Sequence, residues 1–145
     1  MAKMEASVVI DRPIDEVFAY VVDASSWPKW EEGLLEAEQT SQGPTGAGTT
    51  FKGINQFMGQ KMEWTSEITE YETNKRVGHE IISGPMSVEQ TLTFEPADGG
   101  TRFNLAAEGE TGGFFKMAEP IVNRMMKKQL GGNLAKLKQI LEAGT

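Results

Sequence analysis

Residues 88–107 read VEQTLTFEPADGGTRFNLAA, and this stretch decides the fold. Val88, Gln90, Leu92 and Phe94 alternate with Glu89, Thr91, Thr93 and Glu95. Alternation at period two marks a strand with one face buried and the other wet. Asp98-Gly99-Gly100 supplies a turn, after which Phe103, Leu105 and Ala107 resume the alternation against Arg102 and Glu108. Folding the two runs together across Asp98-Gly99 sets Leu92 opposite Leu105 and Phe94 opposite Phe103, so both strands present one apolar face.

Working outward, the same pattern reaches back to about residue 34. Turns are marked at Gly43-Pro44, Gly59-Gln60, Thr73-Asn74 and Gly84-Pro85, where these residue types supply the backbone conformations that reversals need. Pairing across Thr73-Asn74 brings Ile68 opposite His79 and Ser66 opposite Ile81. Across Gly84-Pro85, Ile81 meets Val88 and His79 meets Gln90. Across Gly59-Gln60, Phe57 meets Met62 and Asn55 meets Trp64. All four hairpins agree on one inner face running from Phe51 through Trp64 and His79 to Ala107, and Glu70 falls in the same inward register near a strand end. The opposite set, with Lys52, Lys61, Glu63, Glu67, Arg76, Glu80 and Glu89, is solvated. Six strands therefore form a meander over about 34–111. Residues 3–10, with Met4, Ala6, Val8 and Ile10 alternating, add a seventh.

Two short helices are expected after the first strand. Pro13 suits a first helical position, Asp15 and Glu16 place negative charge where the helix dipole favours it, and Ile14, Val17, Phe18, Val21 and Val22 recur at helical spacing over about 13–22. Asp23 to Trp30 reads as a second short helix, interrupted at Pro28. The last segment, about 114–142, is a long helix: Phe115, Ala118, Val122, Met126, Leu130, Leu134, Leu137 and Leu141 form one stripe. Phe114, Met117, Ile121 and Met125 widen the apolar arc of its first half, which is expected to lie deeper against the sheet. Pro120 marks a kink or a fresh helix start. Gly131-Gly132, each costing about 1 kcal/mol relative to alanine, point to close backbone approach or another bend. No repeat or linker divides residues 1–145, so they read as a single α+β domain in which a curved seven-stranded antiparallel sheet wraps the C-terminal helix.

Composition narrows the function classes. A net charge of −7 opposes a phosphate-binding surface, so no nucleic-acid partner is expected. The chain has no cysteine, which removes disulfides, thiolate nucleophiles and thiolate-bound metals. With a single histidine and no HxxxH or paired-carboxylate spacing, no metal is expected. No dinucleotide fingerprint or phosphate-binding loop is present, so no cofactor is expected either. No apolar run reaches the ~18 residues of a membrane span, and no signal-peptide core follows Met1, which makes cytoplasmic the default expectation.

Three segments carry a resemblance. Ile10-Asp11-Arg12-Pro13-Ile14-Asp15-Glu16-Val17-Phe18 forms a strand-to-helix entry, Trp27-Pro28-Lys29-Trp30 a tryptophan-proline signature, and Leu92 to Arg102 the last hairpin. With the element order, they make the chain resemble the helix-grip fold of the START-like superfamily, in particular the bacterial polyketide cyclase/dehydrase-like branch often labelled SRPBCC. Members of that superfamily bind lipids, polyketides, hormones or quinones, and some catalyse cyclisation or dehydration. The resemblance covers nearly the whole chain and implies a START-like ligand-binding domain; fold alone does not choose among these functions.

A sheet curled around a helix leaves a pocket under the short helices. Its expected lining from the sheet is Phe51, Asn55, Phe57, Trp64, Ser66 and Ile68, with His79, Ile81, Gln90, Leu92, Phe103 and Leu105 from the later strands. The helix would add Met117, Ile121, Val122, Met125 and Met126. An apolar cavity with a few placed polar groups is the usual small-molecule site, and methionine suits one that adapts. His79 and Gln90, directly opposite, either orient a ligand carbonyl or hydroxyl or satisfy each other. His79 is also a candidate general acid or base, and it departs from the aromatic residue the family often carries there. Glu70 is a second acid candidate if it faces the pocket, and otherwise a solvated or ion-paired rim residue. Trp27 and Trp30 either gate the entrance or plug the short helices onto the sheet. Three functions stay open: a carrier of a small apolar or amphipathic molecule, a cofactor-free cyclase, dehydratase or isomerase acting on a polyketide-like or aromatic substrate, and a protein-interaction module with a filled pocket. The protein is expected to act as a monomer or homodimer.

Overall fold

The structure, a computed structural model, describes residues 2–57, 59–83, 86–110 and 119–143. Strand β1 (Ala2–Ile10) leads into helix α1 (Ile14–Val22), a 3-10 turn over Ala24–Ser26 and the single-turn helix α2 (Trp27–Trp30). Six strands follow: β2 (Leu34–Gln39), β3 (Thr50–Phe57), β4 (Gln60–Glu72), β5 (Arg76–Ser83), β6 (Met86–Ala97) and β7 (Gly100–Glu110). Helix α3 (Glu119–Glu142) closes the chain. The strands form one antiparallel sheet in the order β1-β7-β6-β5-β4-β3-β2, so the expected seven-stranded helix-grip architecture is the observed one. At the β6–β7 turn Asp98 and Gly99 both take positive φ, 49° and 81°, the two-residue geometry whose twist matches its strands.

Three of the four hairpin registers stand as expected: Ile68 faces His79, His79 faces Gln90, and Leu92 faces Leu105. The fourth is shifted by two residues. Asn55 faces Met62 and Gly53 faces Trp64, because Gln60 already pairs with Phe57 and the chain reverses one residue earlier than expected. A slip of two preserves every side chain's face. A second correction does change a face. The β4–β5 register shifts between Ile68 and Glu70, so Glu70 pairs with Gly78 and Tyr71 with Val77. The extra residue of this bulge turns Glu70 outward, where its carboxylate pairs with Arg76. Tyr71 takes the inward place and meets Phe18 edge to face at 5.6 Å.

The core lies between the inner sheet face, α1, α2 and the C-terminal half of α3, with Phe51, Ile68, Val77, Phe103, Leu134, Leu137 and Leu141 almost wholly buried. Residues 124–128 of α3 are exposed, Met125 at 42% and Met126 at 39%. Of the residues expected to widen the apolar arc of the first half, only the Met125 side chain is described, and it is exposed; the described burial of the helix lies in its second half. Gly131 and Gly132 are solvent-facing and uncrowded, and they interrupt neither the helix nor its packing. Pro28 likewise does not break α2: it sits in the first turn, where its missing N–H has no helical partner to lose. Residues Phe114, Phe115 and Met117 lie outside the described residues.

Helix α3 is tied down at two places. Lys138 Nζ donates to the Val9 carbonyl at 2.7 Å and to Glu142 at 2.5 Å, and Glu142 accepts from the Asp11 N–H. One turn and more upstream, Gln129 Nε2 donates to the Glu32 carbonyl at 2.7 Å and Asn133 Oδ1 accepts from the Glu32 N–H at 2.8 Å.

Candidate functional site

Between the sheet and α3, under α2, lies a cavity of about 300 Å3, at the lower limit of small-molecule sites. The strands supply its floor: Asn55, Met62, Trp64, Ser66, His79, Ile81, Val88, Gln90, Leu92, Leu105 and Ala107, with Met4 from β1. Its roof comes from Val21, from Trp27, Trp30, Glu31 and Leu34 around α2, and from Met126, Gln129, Leu130 and Asn133 on α3.

Local packing fixes each wall. Trp27 Nε1 donates to the Val21 carbonyl at 2.6 Å, which holds the indole over Phe51, Trp64 and His79 with ring centroids 5.0, 6.5 and 5.7 Å away. Trp64 packs over Gly53: a β-carbon there would run into the indole ring. Its Nε1 donates to Asn55 Oδ1 at 2.6 Å. The missing side chain of Gly53 is thus what admits this wall. Both Trp27 and Trp30 are buried plugs and also cavity walls.

Polar atoms are sparse and unusually free. Among the described residues, three buried side-chain polar atoms lack a hydrogen-bond partner: Tyr20 Oη, Trp30 Nε1 and Ser66 Oγ. Trp30 and Ser66 line the cavity. His79 and Gln90 face each other across β5 and β6, yet no hydrogen bond joins their side chains. Burial in this aromatic surround lowers the His79 pKa to about 4, so the imidazole is neutral at pH 7. Glu31, just beyond the C-terminus of α2, is partly reached by solvent. The protein packed around its carboxyl nevertheless raises its pKa to about 7, through desolvation. No hydrogen-bond or ion-pair partner for that carboxyl exists among the described residues.

Of the residues expected at the site, Asn55, Trp64, Ser66, His79, Ile81, Gln90, Leu92 and Leu105 meet around the cavity. Phe51, Ile68 and Phe103 pack behind it as core. Met125 points to solvent, and its neighbour Met126 lines the cavity instead. Glu70 is on the outer face, so it brings no carboxyl to the cavity. Met117 lies outside the described residues, as do the side chains of Phe57, Ile121 and Val122. Sequence reading missed Glu31, Leu34, Gln129 and Asn133. The available signal for Glu31 was its four-residue step from Trp27, closed by the Glu31 N–H donating to the Trp27 carbonyl.

A wider groove of about 710 Å3 runs between α1, β2 and the β4–β5 turn. It is open, and its carboxylates Asp15, Asp23 and Glu38 are solvent-facing. It lacks the convergence of buried polar atoms that distinguishes the smaller cavity.

The family profile described as polyketide cyclase / dehydrase and lipid transport matches residues 1–142. The chain belongs to that family. Solved structures agree on the fold of this polyketide cyclase / dehydrase family member. The TTHA0849 protein of Thermus thermophilus superposes with a TM-score of 0.84 at 22% identity, covering 99% of this chain and 100% of that one. The di-domain ARO/CYC protein BexL from the BE-7585A biosynthetic pathway gives 0.75 at 20% identity, covering 98% of this chain and 47% of that one. Ara h 8.0201 gives 0.70 at 19%, covering 97% of each. No curated protein matches the chain. No described helix is long and apolar enough to cross a membrane, and no cluster of three or more metal-ligating side chains occurs among the described residues.

Proposed function

We propose that this family member binds a small, largely apolar molecule in the cavity between sheet and helix. The observation that carries the reading is a pair of buried polar atoms without partners, Trp30 Nε1 and Ser66 Oγ, belonging to wall residues of a mostly apolar space. Leaving such groups without a partner costs about 1–3 kcal/mol each, a cost that a ligand oxygen brought within their reach would offset. All three tryptophans of the chain line the cavity, so their fluorescence reports occupancy directly. The test is native mass spectrometry of gently purified protein with solvent extraction, followed by fluorescence titration of whatever is extracted. A stoichiometric passenger whose binding weakens at least about tenfold in Trp30→Phe is expected, since the phenyl ring keeps the wall and removes the donor. A passenger bound equally well by Trp30→Phe and Ser66→Ala would remove the basis of the reading.

One observation favours a second reading, a cofactor-free cyclase or dehydratase. Glu31 and His79 share the cavity with pKa values moved in opposite directions, the arrangement that assigns acid and base roles at one pH. Glu31 takes a proton from the carbon between two ligand carbonyls, the enolate adds to a further carbonyl of the same chain, and Glu31 returns the proton to the new alkoxide. A second α-proton then leaves to Glu31 and passes to the departing hydroxyl, which leaves as water. Glu31→Gln would then abolish turnover of a poly-β-ketone thioester while ligand binding persists. Unchanged turnover in that variant would exclude this role.

A further inference from the structure

The cavity's charge is as informative as its shape. Among its described lining residues there is no lysine or arginine, and the one carboxyl is Glu31. The polar groups that share the cavity with it are neutral around pH 7: Asn55 from β3, His79 from β5, Gln90 from β6, and Gln129 and Asn133 from α3. The last two are each bonded to the backbone of Glu32, and neither donates to the Glu31 carboxyl. Gly33, at φ +86°, completes this clamp: its carbonyl accepts from the Gln56 N–H at 2.7 Å, and a β-carbon there would meet the Gln56 carbonyl at 2.8 Å. Glu31 is therefore a carboxyl held at the cavity by a fixed backbone and left without a partner. The indoles of Trp27 and Trp30 line the same cavity, and aromatic ring faces attract cations.

We propose that the molecule this cavity selects carries a protonated amine on a compact apolar body, with the ammonium paired to Glu31 and the body against the tryptophans. This rests on the binding reading above and narrows it. A carboxylate ligand would meet Glu31 with like charge and find no basic side chain among the described lining residues to offset it. A neutral alcohol would gain a hydrogen bond but no charge attraction.

Three probes sharing one body separate these cases: 1-adamantylmethylamine, 1-adamantanemethanol and 1-adamantanecarboxylate, titrated into the full chain at pH 8.5 by tryptophan fluorescence and calorimetry. The expected order is amine, alcohol, carboxylate, with the amine at least about tenfold tighter than the carboxylate, as one charge contact in a partly screened site implies. Glu31→Gln should bring the two within about threefold and leave the alcohol unchanged, whereas Glu31→Asp, which keeps the charge, should retain the order. In the wild type, lowering the pH from 8.5 to 5.5 should weaken the amine and spare the alcohol, because Glu31 then takes up a proton while His79 stays neutral. A carboxylate that binds as well as the amine, or an amine preference that survives in Glu31→Gln, overturns the proposal while leaving cavity binding intact. Failure of all three probes to bind would overturn the binding reading with it.

Discussion

The floor and the roof of the cavity are built by different means. The floor is a grid in which the face of Ser66, His79 or Gln90 is fixed by alternation along its own strand and by its neighbours across two ladders. The roof hangs on single contacts: the Trp27–Val21 hydrogen bond and the two bonds from α3 to the backbone of Glu32. The contrast teaches where shape and chemistry come from. The redundant floor gives the cavity its outline, and the singly held roof brings in its one carboxyl.

Removing the main roof plug should show how far the two depend on each other. Trp27→Ala deletes an indole that is 8% exposed and touches three floor rings. It should cost about 3–5 kcal/mol in urea unfolding; a loss under about 1 kcal/mol would mean that the floor stands without its roof. On the floor, Gly53→Ala sets a methyl against the Trp64 ring and the Glu36 carbonyl. A loss of about 1–3 kcal/mol is expected, with a shifted Trp64 emission. An unchanged emission would show that the indole does not rest on that glycine.

The two titrating groups sharpen the comparison by pH. Glu31 is raised from 4.5 to about 7, so its stabilisation is present below 4.5 and lost as pH rises towards 7. His79 is lowered from 6.5 to about 4, so its contribution is present above 6.5 and lost as pH falls towards 4. Between pH 4.5 and 6.5 the slopes oppose each other. Glu31→Gln should therefore expose a stability that climbs by about 1 kcal/mol per pH unit in that window, and His79→Phe one that declines. Identical profiles for wild type and Glu31→Gln would show that the roof carboxyl is solvated like any other. The smallest effect is the simplest: Gly131→Ala, in open space on α3, should stabilise the protein by about 0.5–1 kcal/mol. A loss would reveal a role for that glycine which its surroundings do not show.

What the sequence disclosed follows the same division. Alternation declared the strands, and hairpin pairing alone placed Ser66, His79 and Gln90 together. The β3–β4 slip cost nothing because it was even, whereas the β4 bulge inverted Glu70 because it was odd; a bulge leaves no mark in a pattern of polar and apolar letters. The roof was far less legible. The short helix over Asp23 to Trp30 could be read, but no letter pattern marks Glu31 for the cavity, beside which Gln129 and Asn133 hold the backbone of Glu32. Apolar content also misled at Met125, which resembles a core letter yet stands in solvent, while Met126 beside it lines the cavity as expected.

The lysine near the end of α3 has a consequence for how this protein lives among its copies. One margin of the sheet is β1, and there Lys138 occupies the Val9 carbonyl while Glu142 holds the Asp11 amide just past the strand. The other margin, β2, is six residues long, breaks register between Leu34 and Glu36, and carries the exposed charges Glu36 and Glu38. Short, bulged, charged or covered margins deny a neighbouring chain the row of free backbone groups that fibrils and strand-swapped pairs recruit. Crowded at high concentration, two such molecules would meet through side chains, and their sheets would not fuse.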